Sequence, residues 1–333
     1  MMSHAERPRL DILGLGNAIV DVVAQVPDAF LTRHGMHKGA MALIDAAAAE
    51  RIYAALPPGQ ESSGGSAANT CAVAAALGAR VGFLGMVADD QLGRVFRHDI
   101  AAAGVHFPTP PLAGGAPTAR CLIAVTQDGQ RTMNTYLGAC VAFGPEQVDE
   151  TMVRAAAVTY LEGYLFDPPA AQAAFHRAAA GAHAAGRKVA LSLSDAFCVD
   201  RHRAGFRELV GGYVDILFAN EAEVCALYET NSFEGALAEA RQDVALAALT
   251  RSDAGSVIVR GEETWDVTAV PTRVVDTTGA GDAYAAGFLV AYTAGRSLPA
   301  CGRLASIAAA EVISHLGARP QRHLGDELGA LVN

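Results

Sequence analysis

Short apolar runs that alternate with longer helix-forming stretches constrain this chain more than any other feature. LDILGLG (10–16), VGFLGMV (81–87), AVTYLEG (157–163), KVALSLS (188–194), VDILFAN (214–220) and VALAALT (244–250) are almost unbroken in apolar side chains. A strand wet on one side alternates polar and apolar residues, whereas one covered on both sides does not. Between the runs lie the helical stretches GGSAANTCAVAAALG (64–78), DQLGRVFRHDIAAAG (90–104), AAQAAFHRAAAGAHAAG (170–186) and HRAGFRELVGG (202–212), and helices over 280–295 and 299–316 close the chain. Ser66 is placed to cap the first of these and Gly78 to stop it. The pattern predicts an α/β fold in three layers, a mostly parallel central sheet with helices on both faces. A single domain over residues 1–333 accommodates it, and a hydrophobic content of 51% supplies the core.

Two segments break the rhythm. In NAIVDVVAQV (17–26), Ile19, Asp21, Val23 and Gln25 share one face and Val20, Val22, Ala24 and Val26 the other, a period of two. PTARCLIAVTQDGQRTMNTYL (117–137) reads as a hairpin turning at Asp128-Gly129. Antiparallel strands of this kind do not belong in a parallel core. They predict a small, discontinuous second sheet, from segments near 17–45 and 112–140, lying over a site as a lid.

The most specialised stretch is VVDTTGAGDAYAAGFL (274–289). The first N–H groups of a helix lack internal partners and carry partial positive charge. With Gly279, Ala280 and Gly281 bearing almost no side chain, an anion can approach those amides closely. Asp282 stands in the same turn. Amides that hold developing negative charge beside a carboxylate that accepts a proton suit phosphoryl transfer to a hydroxyl. Taken alone, Asp282 could equally complement the helix dipole and the glycines merely permit a turn.

Three stretches together resolve the choice. DTTGAGD resembles the DTxGAGD signature of the PfkB, or ribokinase-like, family of carbohydrate and nucleoside kinases. GGSAANTCAVAAALG resembles that family's Gly-Gly substrate motif, and NEAE (220–223) is similar to its N-x-x-E motif. GNAIVD (16–21), LSLSDAF (191–197) and YVDILFANEAEV (213–224) look most like the adenosine-kinase branch, from which Ser192, Asp195 and Ala196 depart. The resemblance implies a ribokinase-like fold and an ATP- and Mg2+-dependent kinase acting on the primary hydroxyl of a ribonucleoside, foremost adenosine. A sugar kinase acting on a free pentose or hexose is the alternative within the family, and a nucleotide-binding oxidoreductase the alternative outside it.

The same resemblance assigns roles. Asp282 becomes the base and Gly279, Ala280 and Gly281 the anion hole. Asp21, Asn17 and Asn69 bind sugar hydroxyls, and Gly64 and Gly65 let the backbone approach; a carboxylate and amides are what a ribose requires. Asn220, Thr250, Gly255 and Thr278 line the ATP site, and Arg131 reaches a phosphate from the lid. Glu223 organises Mg2+ through water, since magnesium commonly uses one or two carboxylates plus phosphate. Asn220 and Glu223 also fit a helix capping box. Tyr164, Phe166 and Phe197 follow strands at the presumed carboxyl edge, where they can stack on a base or belong to the core. A monovalent cation such as K+ near the Asp276–Thr278 turn is left open, as is the choice between monomer and homodimer.

Other signals exclude functions. A net charge of −10 argues against a nucleic-acid or anionic-membrane partner and leaves a small molecule as the expected one. GLGNAI (14–19) lacks the third glycine of a dinucleotide fingerprint, no GxxxxGK[ST] is present, and the ten histidines show no HExxH spacing. The six cysteines follow no metal spacing and read as reduced thiols of a cytoplasmic protein.

Overall fold

The structure is a computed structural model and describes residues 9–322 and 324–330; the ends of the expected 1–333 domain lie outside the described residues. The chain opens with β1 (Leu10–Leu15), β2 (Ile19–Gln25), α1 (Asp28–His34), β3 (Met41–Leu43), α2 (Ala46–Ala55) and β4 (Gln60–Gly64). It continues through α3 (Ser66–Ala76), β5 (Val81–Leu84), α4 (Gln91–Ala102), β6 (Val105–His106), β7 (Ala119–Val125) and β8 (Arg131–Tyr136). Next come α5 (Glu150–Ala155), β9 (Ala156–Glu162), α6 (Pro169–Ala184), β10 (Lys188–Ser192), α7 (Ala196–Tyr213) and β11 (Ile216–Asn220). The last third holds α8 (Glu221–Leu227), α9 (Phe233–Asp243), β12 (Leu246–Thr250), β13 (Ser256–Arg260), β14 (Glu263–Val267), α10 (Ala280–Thr293), α11 (Leu298–Val312) and α12 (Glu327–Ala330).

Nine strands form the large sheet in the order β14-β13-β12-β11-β10-β9-β1-β5-β6. The seven from β12 to β6 run parallel, and only β13 and β14 turn antiparallel at one edge. β1 shows why its sequence is unbroken in apolar residues. Ile12 belongs to the core under α3 and α10, while Leu13 and Leu15 belong to the core under α6 and its neighbours. Both faces are therefore dry, as the near-continuous runs require. The parallel register sets the strand ends Glu162, Ser192, Asn220 and Thr250 along one edge, where ligands of such sheets bind.

The second sheet has the order β3-β8-β7-β2-β4. The period-two reading of residues 17–26 holds: Val20, Val22 and Ala24 are buried and the Asp21 face is half-open. The hairpin at Asp128-Gly129 also holds, with Gly129 at φ +80°. The sheet is nevertheless mixed rather than antiparallel. β2 lies parallel to β7 and β3 parallel to β8, and a strand from polar QESSG (60–64) closes the edge beside β2. Two further expectations are corrected. α7 starts six residues earlier than residue 202, because Asp195 accepts from the amides of Phe197 (2.7 Å) and Cys198 (3.2 Å); the helix breaks locally at His202 instead. Gly65, at φ +95°, caps α3 in place of Ser66, which is the first helical residue.

Candidate active site

The displaced Ser66 is free for another task. Its hydroxyl donates to Asp282 Oδ1 at 2.6 Å, so the starts of α3 and α10 meet. Asn69, one turn further along α3, also donates to Asp282. Burial still wins and pushes the Asp282 carboxyl up to about 6, against the two donors and with the Asp21 charge helping. A base with a pKa near neutrality is suited to taking a proton at physiological pH.

The turn before Asp282 is built for close approach. Gly279 caps α10 at φ +79°, and a Cβ there would stand 2.6 Å from Ala318 Cβ. At Gly279, Ala280 and Gly281, the residues expected to form an anion hole, little side chain covers the backbone, although the Ala280 N–H turns back to Thr277 O at 3.2 Å. Thr278 donates its N–H (3.0 Å) and hydroxyl (2.6 Å) to Asp276 Oδ1, and Gly317 N–H (3.1 Å) and Arg131 occupy Oδ2. Burial works to raise the Asp276 carboxyl, but these donors outweigh it and hold it below the usual range. Arg131 thus spans from the small sheet to the turn before α10. It is engaged by a carboxylate, not held out toward a phosphate as expected. The one carboxylate of the turn left open for a monovalent cation already takes four donors.

Asp21, on the open face of β2, is half-buried, and burial raises it to about 6 against the nearby Arg319 and Arg131 charges. Its carboxylate lies over Gly64, whose missing Cβ leaves the room it occupies; at Gly65 a Cβ would strike the Asn17 carbonyl. Asn17 does not reach outward as expected. Its side-chain amide donates to Glu162 Oε1 at 2.7 Å, and Glu162 Oε2 accepts from Ala67 N–H at 2.7 Å. Glu162, 1% exposed, ties the start of the small sheet to the start of α3, and burial lifts it to about 7.

Asn220 and Glu223 form the capping box in full. Asn220 Oδ1 accepts from Glu223 N–H at 2.9 Å, and Glu223 Oε2 accepts from Asn220 N–H at 2.9 Å. Burial again raises Glu223 to about 7, with Asp195 and Asp282 adding to the shift. No cluster of three or more metal-binding side chains exists among the described residues. A single buried acid fits a magnesium ion held through water and phosphate rather than a protein cage. Thr250 stands beside Asn220 in the β11–β12 register, and Gly255, at φ +89°, closes the turn into β13 where a Cβ would strike Val267 O.

Of the three aromatic residues, Phe166 takes the core alternative: it is 1% exposed and stacks on Phe206 at 4.6 Å. Phe197 is 76% exposed in the first turn of α7. Tyr164 is half-buried, its hydroxyl pushed up by burial and then by Asp195 and Glu223, which places it among the site's charges. Glu162 and Arg319 escaped the sequence reading, and Asp276 entered it only as part of the DTTGAGD turn. Of the first two only Glu162 left a signal there, an acid ending an apolar strand.

All six cysteines are free thiols, and among the described residues no helix is long and apolar enough to cross a membrane. Comparison with known proteins agrees with the geometry. Residues 42–323 match the model of the pfkB family carbohydrate kinases. The crystal structure of adenosine kinase from Sinorhizobium meliloti superposes with a TM-score of 0.89 at 55% identity, covering 96% of this chain and 98% of that one. A probable sugar kinase from Rhizobium etli CFN 42 gives a TM-score of 0.90 at 50% identity, covering 97% and 98%. An ATP-dependent ribose-1-phosphate kinase of Halopiger xanaduensis is 31% identical over 70% of this chain and 74% of its own. With the ribokinase-like fold, the glycine-flanked Asp282 and this breadth of likeness, the chain belongs to the pfkB family of carbohydrate kinases, phosphotransferases that act on an alcohol group.

Proposed function

We propose that the protein is an ATP-dependent kinase of the primary hydroxyl of a ribonucleoside, foremost adenosine. One observation carries the chemistry. Asp282, raised to about 6 and held by Ser66, sits in the first turn of a helix whose cap is a bare Gly279, with Asp21 across from it. Asp282 takes the proton as the hydroxyl oxygen forms its bond to the γ-phosphorus and the bond from that phosphorus to the ADP oxygen breaks. The backbone around Gly279–Gly281 holds the charge that develops on the transferred group. Asp21 accepts from the vicinal hydroxyls and so places the reacting one. Glu223 would hold Mg2+ through water, and that ion would neutralise phosphate charge. The small sheet, whose β2 carries Asp21 and whose β8 carries Arg131, closes over the sugar and excludes water.

The nucleoside choice rests on Tyr164 and the exposed Phe197 beside the carboxyl edge, which offer a base the stacking surface a free sugar cannot use. The likeness to the Sinorhizobium meliloti adenosine kinase supports it. ATP-dependent ADP release from adenosine, 2′-deoxyadenosine, ribose and fructose tests both parts. Adenosine is expected to be preferred, with the 2′-deoxy analogue weaker by about 1–3 kcal/mol because a buried acceptor loses its partner. A higher kcat/KM for a free sugar would reassign the protein to a sugar kinase. Asp282→Asn should lower turnover on the order of 10²–10⁴-fold; a variant keeping a third of the activity would remove the base assignment.

A further inference from the structure

Asn69 lies between a cation and an anion. The Arg319 Nε–H donates to its Oδ1 at 3.2 Å, and its Nδ2 amide donates to Asp282. An asparagine amide has two ends that differ only in donor or acceptor character. Here both neighbours dictate the same orientation, because a guanidinium needs the oxygen and a carboxylate needs the N–H. Flipping the amide would set oxygen against carboxylate and NH2 against guanidinium.

Arg319 is a poor stabilising group. Its nearest carboxylate, Asp99 on α4, stands 3.7 Å away, and its Nη2 is buried without a protein partner. A partly buried guanidinium with one long ion pair adds little to the stability of the fold, so its place here is better explained by the site. Ser66 alone also leaves the Asp282 carboxylate one donor, about which its plane can turn; a second donor at a different angle removes that freedom.

We propose that Arg319 is a positioning residue: by occupying Asn69 Oδ1 it commits the Asn69 N–H to Asp282 and so orients the proton-accepting carboxylate. The inference rests on Asp282 as the base. The charged and titratable groups around the pair are Asp21 on β2, Asp99 on α4, Cys71 on α3, Tyr160 and Glu162 on β9, Tyr164 after it, and Glu223 on α8.

A double-mutant cycle tests it. Arg319→Met and Asn69→Ala are made singly and together, and kcat, KM and melting temperature are measured with adenosine and ATP. Arg319→Met, which fills similar space with no donor, should lower kcat about tenfold in the wild-type background, an orientation effect. In the Asn69→Ala background it should cost less than about twofold, because its target is gone. Losing the Asn69 donor raises the Asp282 carboxyl, so the acidic limb of kcat should move to higher pH, a shift that damage to the fold alone does not produce. Arg319→Gln keeps an N–H where the Arg319 Nε–H stands and should recover most of kcat, which holds the test open if the Met variant folds poorly. Multiplicative losses, a rise in KM alone, or an unmoved limb would overturn the proposal. Asp282→Asn is run alongside: unimpaired turnover there removes the base assignment, whereas loss there with multiplicative 319 and 69 effects removes only the positioning role.

Discussion

Ser66→Ala isolates one bond and its consequence for the chemistry. The Ser66 hydroxyl donates to Asp282 Oδ1 at 2.6 Å and favours the ionised form of a carboxyl that burial pushes to about 6. A hydrogen bond to a charged group contributes roughly 1.5–3 kcal/mol, and about 1.4 kcal/mol corresponds to one pKa unit. Removing the hydroxyl should therefore raise Asp282 by about one to two units, to roughly 7–8. At pH 7 the ionised fraction falls from about nine-tenths to between about a half and a tenth, so kcat/KM drops about 2–10-fold. At pH 9 the carboxyl is ionised in both proteins and the rates should converge. The assay is ADP release from adenosine between pH 5 and 9.5, with thermal melts of both proteins. The lost bond should also lower stability where the carboxyl is ionised, but because Gly65 and not Ser66 caps α3, the melts should differ by only a few degrees. An acidic limb that stays in place, or a loss equal at every pH, would refute the link from Ser66 to the base.

Glu162→Gln tests the buried acid that ties Asn17 to Ala67. Its folded value of about 7 lies above the 4.5 of a free glutamate, so its contribution to stability is fully present below about pH 4.5 and is lost as pH rises through 7, on the order of 3–4 kcal/mol. The Gln variant gives up one accepted bond at every pH but not that loss, so the gap between the two melting temperatures should narrow from pH 5.5 to 8.5; a constant gap would mean the carboxyl is not raised. Hydrogen exchange of residues 19–25 and 119–136 should slow when adenosine binds, since β2 carries Asp21 and the sheet is proposed to close. Equal protection with and without adenosine would mean a fixed cover.

What was legible in the sequence had local causes. Dry strands, the period of two in 17–26 and the turn at Asp128-Gly129 each leave their mark within a few residues, and so does the glycine approach to Asp282. β4 did not, because QESSG is a strand only by virtue of lying beside β2. The parallel pairing of β2 with β7 joins segments about a hundred residues apart and writes nothing into either. Phe166 stayed ambiguous because an aromatic residue after a strand looks the same whether it turns into the core or out to a ligand. Arg319 and Asp276 owe their roles to partners 250 and 145 residues away in Asn69 and Arg131. Ser66 was credited with the nearest available task, a cap, when its partner lay 216 residues on.

That 216-residue separation also bears on how the enzyme comes into being. A chain made from its N-terminus completes β1 to β8, with Asp21 and the whole small sheet, long before Asp282 exists. α10 comes almost last and packs against α3 and α11, between segments that must wait for it. Contacts of such span are slow to form, and the apolar core that α3 shares with α10 stays incomplete until then. A nascent or truncated chain can thus hold the hydroxyl-binding half of the site while lacking the group that accepts the proton. Phosphoryl transfer becomes possible only in the finished molecule.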